Sequence, residues 1–241
     1  MIRTFGPHKI FLCVLSTQRP ENVGPMTRKI GPATWIVPSE ERGKYQDAGA
    51  SQIITDGGAN VARARNVALY HARRLRLPCL QLDDDLKIIK LAHNGKAVPI
   101  HFGKAVGMMM DFLLATPFKL AASNVVTNVT FVKAPVTMNK TINGGMLLVL
   151  PTKLTFDPEQ KVSEDIDYAL LHHQVYGGYL RIDCLMTDFQ HRQAGGVQVY
   201  RDSEWDRRGT EMLQEKWGDK IRARHSKDNP HHVIVSIRDA A

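Results

Sequence analysis

Long hydrophobic runs are missing from this 241-residue chain. Its richest apolar stretch, residues 105–115, is interrupted by Asp111 and is too short to cross a bilayer. A shorter run at 10–15 follows Arg3 and Lys9, but it is too short for a secretory h-region and reads as a first β-strand. Cysteine is scarce. Cys13, Cys79 and Cys184 are odd in number, far apart and set in apolar surroundings, which excludes a disulfide scaffold and points to buried thiols in a reducing, cytoplasmic compartment. There is no internal repeat, no low-complexity basic tail, no helix-turn-helix or zinc-finger spacing, and no linker that would divide the chain. Also absent are a G-x-S-x-G elbow, a P-loop, an H-E-x-x-H pair and a complete dinucleotide fingerprint, which removes several enzyme classes.

What remains is ordinary globular material, 43% apolar and 23% charged, with a formal net charge of +8. The positive charge is concentrated: residues 61–120 hold ten Lys or Arg against four Asp. Such a field favours a polyanionic partner, although a solvated basic helix face explains the same charges.

Apolar residues at 10–16, 34–37 and 51–55 predict three buried strands, each closed by a polar, proline or glycine turn. From Asn60, a natural N-cap, Val61, Ala64, Ala68, Ala72 and Leu75 recur at helical spacing. Pro78 separates this helix from a strand at 79–82. Later helices are predicted at 102–114, 163–176 and 209–217, and strands at 125–132, 146–150, 179–185 and 232–237. Strands apolar on both faces, linked by helices, predict a single α/β domain with a mostly parallel central sheet flanked by helices.

Asp83, Asp84 and Asp85 follow the 79–82 strand directly. Three adjacent carboxylates repel one another unless a cation or hydrogen-bond donors offset them, and Mg²⁺ or Mn²⁺ is the natural hard ion for such a strand end. An acidic surface turn is the plainer alternative. Arg63, Arg65 and Asn66 on the preceding helix are placed to face a diphosphate, unless they are simply its exposed side. Asn143-Gly144-Gly145 gives either a tight turn or a close approach of backbone to ligand. Glu164, Asp165 and Asp167 suit the first turn of a helix electrostatically, and one of them could serve as a base towards an acceptor hydroxyl.

Taken in order, these segments resemble the glycosyltransferases of the GT-A fold. Residues 8–192 carry the resemblance: a first strand running into Thr17-Gln18-Arg19-Pro20, a D-x-D element at Leu82-Asp83-Asp84-Asp85, the Asn143-Gly144-Gly145 turn, and an E-D pair at Glu164-Asp165. The resemblance implies that Asp83 contacts the nucleotide of a UDP-sugar, with Asp84 beside it. It makes Asp85 the Mn²⁺ or Mg²⁺ ligand, joined by His191 (His225 is the alternative). Asp165 becomes the base, with Glu164 its competitor, and Gly144 and Gly145 lie beside the donor sugar. The Q-x-x-R-W element and membrane helices of processive synthases are absent.

A narrower set looks like the bacteriophage TET-associated glycosyltransferases: Thr34-Trp35-Ile36-Val37-Pro38, Tyr45, the stretch from Ala62 through Arg63 and Arg65 to Asn66, and Gln81 through Asp85. That likeness implies transfer to a hydroxymethylated pyrimidine such as 5-hydroxymethylcytosine in phage DNA, inverting if the E-D pair acts as in inverting members of the fold. It adds Pro38 and Tyr45 to the donor-binding residues, which already include Thr17 and Arg19 of the loop that the GT-A resemblance makes nucleotide-contacting. The location expected is the cytoplasm of the host, with no membrane and no obligate protein partner. Residues 8–100 would form the nucleotide-binding portion and 101–241 the acceptor and catalytic portion. Two other readings stay open, a transferase for a small molecule, protein or glycan and a non-catalytic nucleic-acid-binding module.

Overall fold

β2 (His8–Leu15) explains the layering, because its side chains alternate between two cores. Ile10, Leu12 and Val14 enter one apolar cluster, while Phe11, Cys13 and Leu15 enter another. A strand buried on both faces needs helices on both, as in other parallel-rich sheets. In this computed structural model, which describes residues 1–55, 58, 60–124, 126, 128–190, 203–225 and 233–238, both faces are covered.

The chain begins with β1 (Ile2–Phe5), which folds back on β2. α1 (Val23–Ile30), β3 (Thr34–Val37), α2 (Arg42–Asp47), β4 (Gln52–Thr55), α3 (Val61–Leu75) and β5 (Cys79–Asp83) follow. β4, β3, β2 and β5 lie side by side in that order, all parallel. The chain thus adds β3 and β4 on one side of β2, then returns to place β5 on the other. This reversal is a topological switch point, where the carboxyl ends of neighbouring strands open a crevice.

α3 forms where its cap and apolar stripe predict it. The Asn60 side chain accepts the Arg63 N–H at 3.0 Å, and Arg76 ends the helix in a left-handed conformation at φ 55°. Its small residues Ala62, Ala68 and Ala72 are buried, which brings the helix close to the sheet.

Beyond β5 the sheet changes character. β6 (Leu86–His93) and β7 (Lys96–Pro99) form a hairpin at the far edge, joined by Asn94-Gly95 with φ of 49° and 71°. α4 (Phe102–Leu114) packs on the β1 side, and β8 (Leu120–Asn124), β9 (Thr137–Met138), β10 (Met146–Val149), α5 (Glu164–Tyr176) and β11 (Leu180–Phe189) complete the main sheet. β10 runs antiparallel between β5 and β8, whereas β11 is parallel to β8. The full order is β4-β3-β2-β5-β10-β8-β11-β6-β7. α6 (Ser203–Trp217) and the ribbon of β12 (Ile221–His225) and β13 (Val233–Ile237) pack on the face that holds α3 and α5.

The molecule is therefore a single α/β domain, but its sheet is mixed and not mostly parallel. Among the described residues, parallel pairing is confined to β4-β3-β2-β5 and β8-β11. Another expectation, the strand that β propensity predicts at 125–132, fails over its described residues, 125 and 127 lying outside them. β8 ends at Asn124, and Asn128 instead accepts the N–H and hydroxyl of Thr130, at 3.0 and 2.8 Å, to make a short turn at Val129–Phe131. Local side-chain bonding outcompetes the ladder there.

Candidate functional site

The acidic run occupies the switch point. Asp83 ends β5, and Asp84 and Asp85 form the turn into β6, a strand that does not pair with β5. The loop after β2 meets this turn from the neighbouring strand end. Ser16 donates to Asp84 Oδ2, and Arg19 Nη1 lies 3.1 Å from Asp84 Oδ1 and 3.7 Å from Asp85 Oδ2.

A hydrogen-bonded chain fixes this loop. The Arg19 N–H donates to Tyr45 Oη at 3.1 Å, and Tyr45 Oη and Ser16 Oγ are 2.5 Å apart. Since Ser16 spends its proton on Asp84, Tyr45 is the donor to Ser16. The chain then runs from Arg19 through Tyr45 and Ser16 to the carboxylate. Tyr45 is fully buried against Trp35, and burial pushes its phenol pKa well above the usual value. Thr17 and the Gln18 N–H both donate to Glu41, at 2.9 and 2.6 Å. Buried Pro38 sets that carboxylate in place by accepting the Glu41 N–H at 3.0 Å.

Thr17, Pro38 and Tyr45 thus build the loop, and Arg19 is the member that reaches the aspartates. Asp84 is engaged at both oxygens, so it positions Arg19 and Ser16. Burial raises the pKa of Asp84 to about 7 against the pull of Ser16 and Arg19. Asp85 is raised to about 6, first by burial and then by Asp83. Asp83, with a side chain 41% exposed, is the open member of the run.

Arg65 differs from its reading in the sequence. It is 2% exposed and faces the protein, not a ligand. Its guanidinium bonds Glu164 Oε1 at 3.0 Å, Gln81 Oε1 at 3.3 Å and Asp83 Oδ1 at 3.4 Å. Burial alone would lower its pKa, but Glu164, Asp83 and Asp165 outweigh burial and raise it. The reason is helical phase: 65 falls with 62, 69 and 72 on the buried face of α3. Asn66 is likewise structural, since its amide bonds the Phe156 backbone N–H and C=O, both at 2.8 Å. Arg63 stays on the exposed side of the helix.

The glycine turn closes over Arg65. A Cβ on Gly144 would stand 2.3 Å from Arg65 Nη2, and one on Gly145 would stand 2.5 Å from the Phe189 ring. Close packing, and not turn conformation, demands glycine at both places. The Gly145 carbonyl accepts the Asp83 N–H at 2.9 Å, which ties the turn to the acidic run. Asp165 Oδ2 accepts the Gly144 N–H at 2.6 Å, and Oδ1 accepts the Ile166 N–H at 2.9 Å. Burial first, then repulsion from Glu164, raises the Asp165 pKa to about 7, against Arg65 and the two N–H groups.

Asp167 is not part of this group. It is buried under α6, holding Trp217 Nε1 at 2.7 Å and Lys216 Nζ at 2.8 Å. Asp83, Arg65, Glu164, Gly144 and Asp165 therefore form one network, Arg19, Tyr45, Ser16, Asp84 and Asp85 another, and the acidic run joins them. Ser16, Glu41 and Phe189 escaped the sequence reading, and Gln81 entered it only through the resemblance, with no part in Arg65's network. Of these, only Gln81, a polar residue inside an apolar strand, carried a local signal of a buried partner.

His191 lies outside the described residues, and His225 ends β12. Among the described residues, no group of three or more His, Cys, Asp or Glu side chains is arranged to hold a metal ion. No described helix is long and apolar enough to cross a membrane. A scan against protein-family models and a search of curated proteins both find no match to the chain.

Proposed function

We propose that the protein is a metal-dependent, inverting glycosyltransferase of the GT-A type. It would move a sugar from a UDP-sugar to a hydroxymethylated pyrimidine of phage DNA. One observation carries this reading: the acidic turn with Arg19 laid against it and the Asp165 carboxylate sit at the same sheet edge, at the switch point. The parallel block β4-β3-β2-β5 ending on that turn supports the GT-A assignment. In this reading residues 8–100 supply the donor half and 101–241 the acceptor half.

The donor set fits a hard divalent ion. Mg²⁺ needs only one or two protein carboxylates, the rest of its shell being phosphate and water. Asp83, bonded by Arg65 at one oxygen, and Asp85, near Arg19 at one oxygen, are the two candidates, because Asp84 is engaged at both by Ser16 and Arg19. Bound there, Mn²⁺ or Mg²⁺ supplies charge neutralisation at the leaving diphosphate.

The chain's own residues do the rest. Arg19 brings a second positive charge to the same turn. Asp165 takes the proton of the acceptor hydroxyl as the hydroxyl oxygen bonds the anomeric carbon and the bond from that carbon to the diphosphate breaks. Glu164 is ion-paired with the Arg65 cation, whereas Asp165 is held by neutral backbone N–H groups, so Asp165 is assigned as the base. Arg65 acts by position, holding Asp83 and Glu164. The concentrated positive charge of residues 61–120 supports a DNA acceptor.

The test is incubation with Mn²⁺, a panel of nucleotide sugars, and DNA with or without 5-hydroxymethylcytosine, read by nucleoside mass spectrometry. A glycosylated nucleoside is expected only with the modified DNA. Asp85→Ala should lower Mn²⁺-dependent UDP-sugar affinity at least tenfold while the protein stays folded. Unchanged affinity in calorimetry would remove the metal assignment, and transfer to a soluble glycan but not to DNA would reassign the acceptor.

A further inference from the structure

The segment after β8 is anchored to the same sheet edge as the acidic turn. β8 is parallel to β11, and Asn124, the last residue of β8, pairs with Met186. The segment is fastened again at Pro135, whose carbonyl accepts the Cys184 N–H at 3.0 Å, two residues before Met186. The end of β11 reaches the site itself: Phe189 packs against Gly145, and the Gln190 N–H donates to the Asp85 carbonyl at 2.8 Å. Residues 128–134 therefore lie between two anchors on the sheet edge that carries Asp83, Asp84 and Asp85.

Phe131 stands on this segment with 68% of its surface exposed, the most open of the large hydrophobic side chains among the described residues. Lys133 beside it is exposed as well. No acidic residue occurs anywhere between 125 and 143. An exposed ring costs hydration free energy, and no packing within the described chain recovers it. A ring with a cationic neighbour in sequence and no anionic one along its own segment suits the flat face of a nucleobase whose backbone carries negative charge.

We infer that Phe131 is a stacking platform for a base of the acceptor strand, with Lys133 beside the strand's phosphates. The inference rests on the DNA-acceptor reading and deepens it by naming the residue that receives the strand. Stacking is tolerant of sequence, so Phe131 would hold the strand without selecting it.

The test uses the full chain. Transfer to a hydroxymethylcytosine oligonucleotide is measured for the wild type, Phe131→Ala and Phe131→Trp, and oligonucleotide binding is measured in parallel without donor. Phe131→Ala should raise the KM for the oligonucleotide about tenfold, within the range of one stacked base, with UDP-sugar affinity preserved. Phe131→Trp should restore that KM, and its new indole emission should be quenched by the oligonucleotide. If the wild type transfers sugar to DNA and Phe131→Ala leaves KM unchanged, the platform is wrong while the acceptor reading stands. If the wild type transfers no sugar but binds the oligonucleotide through Phe131, the platform stands and the acceptor reading fails. Neither binding nor transfer would overturn both.

Discussion

Asp165 is held at both oxygens by backbone N–H groups, yet its proton is retained to about pH 7 by burial and by Glu164 beside it. A base must be deprotonated to act, so turnover should rise as pH is raised through about 7 and level off above it. Asp165→Asn keeps an oxygen for the Gly144 N–H but cannot accept the acceptor's proton. It should reduce kcat by 10²-fold or more, a rough value for lost general-base catalysis, while UDP-sugar affinity in calorimetry changes little. A variant retaining near wild-type kcat with the same pH profile would return the first-turn carboxylates to a purely helix-stabilising part.

Among the elements, α3, β5 and α5 meet through one side chain. Arg65 comes from α3, Gln81 and Asp83 from β5, and Glu164 from α5. Breaking such a buried pair on one side strands the other charge. Arg65→Met should therefore cost about 3–5 kcal/mol in urea unfolding. Adding Glu164→Gln should recover part of that loss, whereas additive losses would show that the two residues act separately. How much of this was legible varied with the range of the cause. α3, β2, β3 and β5 were readable because cap, period and burial are local signals. The β6–β7 hairpin was also written locally, in Asn94-Gly95, the strongest short hairpin signal, and went unread. The antiparallel insertion of β10 was not readable, since strand direction depends on a crossover whose path no local pattern states. The same limit applies to the site. Its aspartates and glycines stand out by type, but whether Arg65 faces a ligand or Glu164 depends on contacts 99 positions apart.

At the scale of the whole molecule, a histidine far from the proposed chemistry should contribute a destabilisation by acid. His172 is fully buried between the rings of Tyr168 and Tyr176, and neither ring nitrogen has a hydrogen-bond partner among the described residues. Burial lowers its pKa to about 3. Between the unfolded value near 6.5 and that folded value, the unfolded chain binds the extra proton, so stability falls as pH falls. Lowering pH from 7 to 5 should cost about 2 kcal/mol through this residue. Asp84, Asp85 and Asp165 have raised values and act in the opposite sense. The difference between the wild type and His172→Phe in urea midpoints at the two pH values isolates the histidine. Parallel pH dependence in both proteins would show that the ring is hydrated or already paired.

The place of β10 has a consequence for how the protein is made and for what can be cut from it. β5 finds one neighbour in β2, but its other edge waits for Met146–Val149, more than sixty positions later in the chain. Until that strand arrives, the nascent N-terminal half exposes an unpaired edge flanked by Leu80 and Leu82, a template for pairing with other chains. The two halves named by their roles are thus not modules. A fragment ending near residue 100 would leave this edge open and self-associate, and the acidic turn, deprived of the Gly145 carbonyl and of Glu164, would not hold its shape.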